Sequence, residues 1–158
     1  MIEPKAPGAP GSTATWTSSA KDMVGTALGQ GRVWFTVGYG ILNEVYWPSC
    51  STPQIRDLGF IIAGDDFWSE VKRVHQYSLT TPSSSLPLPK IVHQHERYRL
   101  EIEIITDPVR DVLLVNYHLD GEGLKLYPYW RHILVVMAIT IVEQSQRKDL
   151  QQKKKGAI

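Results

Sequence analysis

The 158-residue sequence holds a single cysteine, Cys50, which excludes an intrachain disulfide and any all-cysteine metal site. A lone thiol of this kind reads as a small packing group or a surface thiol. Excess charge of one sign is also missing. Seventeen Lys and Arg oppose sixteen Asp and Glu, for a net charge of +1, which gives no electrostatic case for a nucleic-acid partner. Lys153-Lys154-Lys155 is the one local basic concentration. Long apolar runs are absent. Ile133–Val142 is the longest, about half of the roughly 20 residues a spanning helix needs, so no membrane partner is expected; it reads as a buried strand or a short buried helix. Met1–Gly11 has no apolar centre, so no signal peptide is visible and the chain as given is expected to stay in the cytoplasm. No Gly-rich phosphate loop, nucleophile elbow or internal repeat occurs, and no cofactor is expected.

What is present is globular: 42% hydrophobic and 21% charged residues in a length suited to one domain with its own core. The organising stretch runs from Gly31 to Pro48. Arg32–Val37 and Ile41–Tyr46 are rich in β-branched and aromatic residues, and Gly38-Tyr39-Gly40 between them supplies a tight reversal. Alternation places Val33, Phe35 and Val37 on one face and Arg32, Trp34 and Thr36 on the other. In the second arm Ile41, Asn43 and Val45 oppose Leu42, Glu44 and Tyr46. Both faces are apolar enough to be covered.

Around this hairpin the chain reads as further strands. Met1–Thr17, rich in Pro, Gly, Ser and Thr, reads as an extended segment that is frayed or draped over a sheet. Ser18–Gly29 predicts at most a helical turn. Pro48–Pro53 is a turn, Gln54–Ala63 a strand, and Gly64-Asp65-Asp66 the next reversal. The apolar spacing in Phe67–Leu79 also allows a helix, but its β-branched residues favour a strand. Thr80–Pro89 is a Pro/Ser loop. Leu100, Ile102 and Ile104 then alternate with Arg99, Glu101 and Glu103. Asp107-Pro108 turns the chain into Val112–Leu119, and Asp120–Gly123 signals another hairpin leading into Leu124–Tyr127. The fold expected is an all-β, antiparallel sandwich.

The candidate chemistry is thin. Glu101 and Glu103 read as a charge-compensated face beside Arg97 and Arg99, Asp65 and Asp66 as turn residues, and Glu44 as a buried partner for Arg32 or Arg56. His93 and His95 share a face but lack a third ligand at metal-site spacing, so no metal is expected. Sugar contact remains, because sugar C–H faces pack on aromatic rings and hydroxyls need fixed polar partners. Trp34, Tyr39, Tyr46, Trp47 and Trp68 are the candidate aromatics, with Asn43, Arg56 and Asp57 as polar partners. Filling of the sandwich core or of an interface is the better explanation for any one of these aromatics; Tyr39 and Trp68 fit it least.

Several ordered motifs carry a resemblance. Arg32–Thr36, Gly40–Pro48 and Gln54–Phe60 are closely similar to the N-terminal domain of bacterial and archaeal glucodextranases and glucoamylases (glycoside hydrolase family 15 type). Trp16–Lys21, His93–Leu100 and Thr106–Leu114 are similar too. The resemblance covers roughly residues 7–128. It implies a galactose-mutarotase-like β super-sandwich with an N-terminal segment, here residues 1–17, wrapped over one sheet. It also implies a non-catalytic role for residues 18–128, since the family's two catalytic glutamates lie in a following (α/α)6 barrel. That barrel is the expected partner, with α-glucan oligosaccharide as a further candidate. The parent enzymes are inverting hydrolases that release glucose from non-reducing ends. The alternative is a stand-alone carbohydrate-binding module for α-glucan oligosaccharides.

At Pro128 the family pattern stops, and from Tyr129 glycines and turn signals cease. Shifting the reading frame permits the family's continuation: Tyr129-Trp130 forces a Leu codon, and the following pairs permit Ala, Pro, His, Leu and Gly. Residues 129–158 therefore read as a non-family tail from a frameshift, leaving the sandwich incomplete. Open edges and poor solubility are the expected consequence.

Overall fold

A computed structural model describes residues 20–27, 29–74, 76–132 and 138–143. The wrapping segment 1–17, the start of the Trp16–Lys21 motif and the basic end of the tail lie outside the described residues.

Among the described residues eleven strands form two sheets. They are β1 (Met23–Thr26), β2 (Trp34–Gly38), β3 (Ile41–Tyr46), β4 (Pro53–Ala63), β5 (Trp68–Glu70), β6 (Tyr77–Thr80), β7 (Lys90–Gln94), β8 (Arg99–Thr106), β9 (Val112–Asp120), β10 (Lys125–His132) and β11 (Ala138–Glu143). One sheet has the order β1-β2-β3-β4-β10, with β5 also pairing β4; the other has the order β11-β9-β8-β7-β6. The sandwich is antiparallel except that β11 runs parallel to β9. The core is drawn from both inner faces: Phe35, Val37, Leu58, Phe60 and Ile62 from one sheet, Ile91, Leu100, Ile102, Ile104 and Val115 from the other, all buried.

The hairpin β2–β3 closes through Tyr39 (φ 56°) and Gly40 (φ 68°). Both central residues in the left-handed region match the twist of the flanking strands. Glycine at 40 is required twice over, since a Cβ there would lie 2.4 Å from the His93 ring. Simple alternation fails in β3. The register with β2 steps between Phe35 and Val37, pairing Phe35 with Val45 and Val37 with Leu42. One extra residue in β3 moves everything beyond it to the other face. Leu42 and Val45 therefore share the core side, at 1% and 0% exposure.

Three further expectations are corrected. Ser18–Gly29 contains the strand β1, whose Gly25 lies directly opposite Phe35; a Cβ at 25 would meet the Phe35 ring at 2.2 Å. Four residues are too few for a periodic signal, and pairing with β2 decides their state. Phe67–Leu79 is two strands, not one: β5 ends in a 3-10 turn, Val71–Arg73, before β6 begins in the opposite sheet. Asp120–Gly123 is a turn but not a hairpin, because β9 and β10 belong to different sheets.

Strand β10 pairs with β4 from Lys125 opposite Ala63 to Arg131 opposite Asp57, passing through Pro128 without a register step. Pro128 has no N–H to give β4, and an edge strand such as β10 is where a sheet tolerates that loss. Of Ile133–Val142, residues 138–142 lie in β11 and 133–137 fall outside the described residues.

Candidate functional site

Two polar clusters stand out among the described residues, one between the sheets and one within a sheet. At one, Asp111 accepts from the backbone N–H of Arg32 at 2.7 Å and from Arg32 Nη2 at 2.5 Å. The Arg32 guanidinium also lies 5.4 Å from the Trp47 ring centre, a cation–π contact. Hydrogen bonds from the Arg32 side chain and backbone N–H hold the Asp111 carboxyl down at about 2. Beside it Gln30 and Gly31 donate to the Pro108 carbonyl at 2.7 and 3.1 Å. This clasp ties the entrance to β2 onto the β8–β9 turn, and so one sheet onto the other.

The second cluster lies on the outer face of the β4-containing sheet. The Glu70 side chain is only 1% exposed. It accepts from Arg73 Nε and from the Tyr129 hydroxyl, each at 2.5 Å. Lys72 Nζ lies 3.6 Å from Glu70 and 3.3 Å from Asp57. Burial alone would raise the Glu70 carboxyl; the bonds from Tyr129 and Arg73 and the charge of Lys72 outweigh it and hold it below its ordinary value. A general acid needs the opposite shift. The cluster ties β5 and the 3-10 turn to β10 through one buried carboxylate.

The residues singled out for sugar contact do not converge. Trp68 is exposed on β5, at 57%, and Tyr39 is exposed at the β2–β3 turn, at 39%. Trp47 is half-buried in the clasp, its carbonyl accepting from Gln54 Nε2 at 2.8 Å. Asn43 and Asp57 are wholly buried, so neither presents an atom to a ligand. Neither amide atom of Asn43 has a partner among the described residues. Arg56 is half-buried in β4.

Other expectations are redistributed. Glu44 pairs with Lys21 at 3.0 Å and accepts from Thr36 at 3.0 Å, not with Arg32, whose partner arrives from Asp111. Arg99 does pair with Glu101, whose other partner is Lys90 at 2.9 Å. Arg97 leaves that face for Asp66, at 2.9 Å. His93 is buried, and its Nε2–H donates to the Gly40 carbonyl at 2.7 Å. His95 instead stacks on Tyr98 with ring centres 4.7 Å apart. Sequence reasoning missed Glu70, Lys72, Arg73 and Tyr129. The three-residue spacing of Glu70 and Arg73 was the available signal, and Tyr129 carried none.

Taken together, these features define an all-β, two-sheet sandwich stitched by ion pairs. Residues 6–145 match the family model described as glucodextranase, domain N, and the chain belongs to that family. The match runs past Pro128 and takes in β10 and β11. A glucoamylase from Clostridium sp. (strain G0005) is 34% identical over 129 residues, which cover 76% of this chain and 18% of that protein. The crystal structure of a bacterial glucoamylase complexed with acarbose superposes with a TM-score of 0.74 at 28% identity, covering 79% of this chain and 20% of that one. The chain thus corresponds to about a fifth of each relative's length. Among the described residues there is no α-helix, hence no helical barrel and no helix long and apolar enough to cross a membrane.

Proposed function

We propose that this chain is the non-catalytic N-terminal sandwich of an inverting, exo-acting α-glucan hydrolase of glucoamylase or glucodextranase type. Its role is to support and pack against the catalytic barrel of that enzyme in carbohydrate metabolism. The family match, joined to the chain's correspondence with a fifth of two glucoamylases, carries this reading. The site chemistry agrees: among the described residues the buried carboxylates Asp57 and Glu70 share the Lys72 ammonium, and Glu70 is held below its ordinary value.

The test is twofold. The purified chain is incubated with maltoheptaose and with isomaltohexaose, and no glucose is released above a buffer blank. Added to the separately produced catalytic region of a glucoamylase, the chain raises that region's melting temperature. Glucose release by the chain alone overturns the non-catalytic reading, and no shift on mixing overturns the packing role. A second reading, a stand-alone module that binds α-glucan, draws on the exposure of Trp68 and Tyr39.

A further inference from the structure

The tip of the β2–β3 hairpin is gripped from the opposite sheet by two side chains on neighbouring strands. His93 on β7 and Tyr77 on β6 are register partners, with ring centres 5.5 Å apart. Gly40 lies against both: a Cβ there would meet the His93 ring at 2.4 Å and the Tyr77 ring at 2.9 Å. His93 Nε2–H donates to the Gly40 carbonyl at 2.7 Å. The Tyr77 hydroxyl donates to Asp22 at 2.7 Å, and the Asp22 backbone N–H donates to the Val37 carbonyl at 2.8 Å. One grip holds the turn itself; the other holds the segment laid along β2.

Two features make the first grip conditional. The His93 ring is wholly buried, and its Nδ1 has no partner among the described residues. In the neutral ring that nitrogen is an idle acceptor. In the cation it becomes a buried donor with nothing to receive it, on a charge taken out of water. The turn is also strained, since Tyr39 holds φ 56°, in the left-handed region that disfavours a side chain. Opening the tip hydrates the imidazolium and relaxes Tyr39 together.

The surrounding elements supply no counter-charge. On β8, Leu100 is opposite His93, while Arg99 and Glu101 alternate to the other face and pair with each other. Tyr77 on β6 stays protonated, its hydroxyl pushed up to about 12 by burial and by Asp22. Asp22 itself is taken up by that hydroxyl, and the Tyr39 side chain at the tip is exposed. On β7, Lys90 pairs with Glu101 and His95 stacks on Tyr98. Burial accordingly lowers the basicity of His93 in spite of its bond to Gly40. The body of the hairpin is anchored independently, through Phe35, Val37 and Val45 in the core.

We infer that His93 is an acid-released latch: on taking a proton it lets go of the Gly40 carbonyl, and the tip at Tyr39-Gly40 opens from β6 and β7 while β2 and β3 stay in their sheet.

Amide hydrogen exchange on the full 158-residue chain tests this between pH 8 and 5, with rates corrected for the intrinsic pH dependence of exchange. Protection at residues 38–42 should fall about tenfold for each pH unit below 6.5, until the buried ring takes its own proton. The same amides should exchange at least about tenfold faster than residues 100–104 of β8, and urea below the unfolding transition should leave their rates unchanged, as local opening requires. His93→Gln, whose amide can donate to Gly40 but takes up no proton, should keep the tip's protection flat across the range. Should that variant fail to fold, NMR titration of the His93 ring in the wild-type chain carries the comparison: the ring should take its proton at the pH where the tip's protection stops falling. Tip protection that equals that of β8 and shares its urea dependence overturns the latch in favour of global unfolding. Protection indifferent to pH, falling equally in His93→Gln, or unchanged while the ring titrates overturns it outright.

Discussion

Arg32 and Asp111, 79 residues apart, form a three-point contact: the Arg32 backbone N–H, Nε and Nη2 reach one carboxylate at 2.7, 3.1 and 2.5 Å. Both residues fall in stretches that resemble the same family, and their contact gives that coincidence a physical cause. Arg32 leads into β2 of the first sheet, and Asp111 leads into β9 of the second.

The Asp111 carboxyl sits at about 2, below its ordinary 3.8. A folded-state value depressed in this way adds stability above the ordinary value and loses it as pH falls through the depressed one. Acid unfolding between about pH 4 and 2 should therefore flatten in Asp111→Asn. The variant should also melt lower than wild type at pH 7, and Asp66→Asn, whose carboxylate is exposed, should change the midpoint less. Chemical denaturation across that pH range reads the difference.

His93 also loses stability on acidification, but here because burial favours the neutral ring. Burial lowers its basicity below the ordinary 6.5, partly offset by its bond to Gly40. The neutral ring is the folded form, so stability is full above about pH 6.5 and declines as pH falls through the lowered value. His93→Leu should remove that pH dependence. It should also cost about 1–3 kcal/mol at pH 7.5, because the Gly40 carbonyl loses its donor. Urea unfolding at pH 7.5 and at pH 5 measures both effects.

Gly40→Ala should be among the most damaging single changes in the hairpin. The left-handed backbone alone costs about 1–3 kcal/mol for a side chain, and the new Cβ would meet the His93 ring at 2.4 Å. Thermal melts should show a large drop for it, against a small one for Gly123→Ala. Position 123 shares the backbone conformation, but nothing lies within 4 Å of its Cβ position.

Tyr129 tests whether the chain beyond Pro128 is part of the fold. Removing its hydroxyl leaves a buried, ionised Glu70 short of one donor, a loss of about 1.5–3 kcal/mol. Tyr129→Phe should therefore destabilise clearly in guanidinium unfolding. Tyr127→Phe, on the same strand face but exposed, should stay within about 0.5 kcal/mol of wild type. Equal behaviour of the two would place Tyr129 outside the cooperative unit.

Core truncation sets the scale for these changes. Phe60 is wholly buried between the sheets, and Phe60→Ala should cost about 3–5 kcal/mol. Val24→Ala, at a position 64% exposed, should be almost silent by the same measurement.

The sequence by itself determined the class of fold, the family and most strands. Leu100, Ile102 and Ile104 alternate because the backbone of a strand turns each residue to the other side. Gly38-Tyr39-Gly40 and Asp107-Pro108 reverse the chain because their local geometry allows little else. Such signals are short-range and survive in any context. Tertiary structure alone decided which sheet a strand joins and which charge meets which. The bulge that brings Leu42 and Val45 to the same side is set by pairing with β2. The passage from β9 into the opposite sheet is set by where Leu126 and its neighbours find β4. Arg32 meets Asp111 rather than Glu44, and Glu70 gathers Lys72, Arg73 and Tyr129, because packing two sheets face to face fixes distances that residue order does not. Trp68 and Tyr127 come to share a face for the same reason, once β10 has taken its place on the far side of β4.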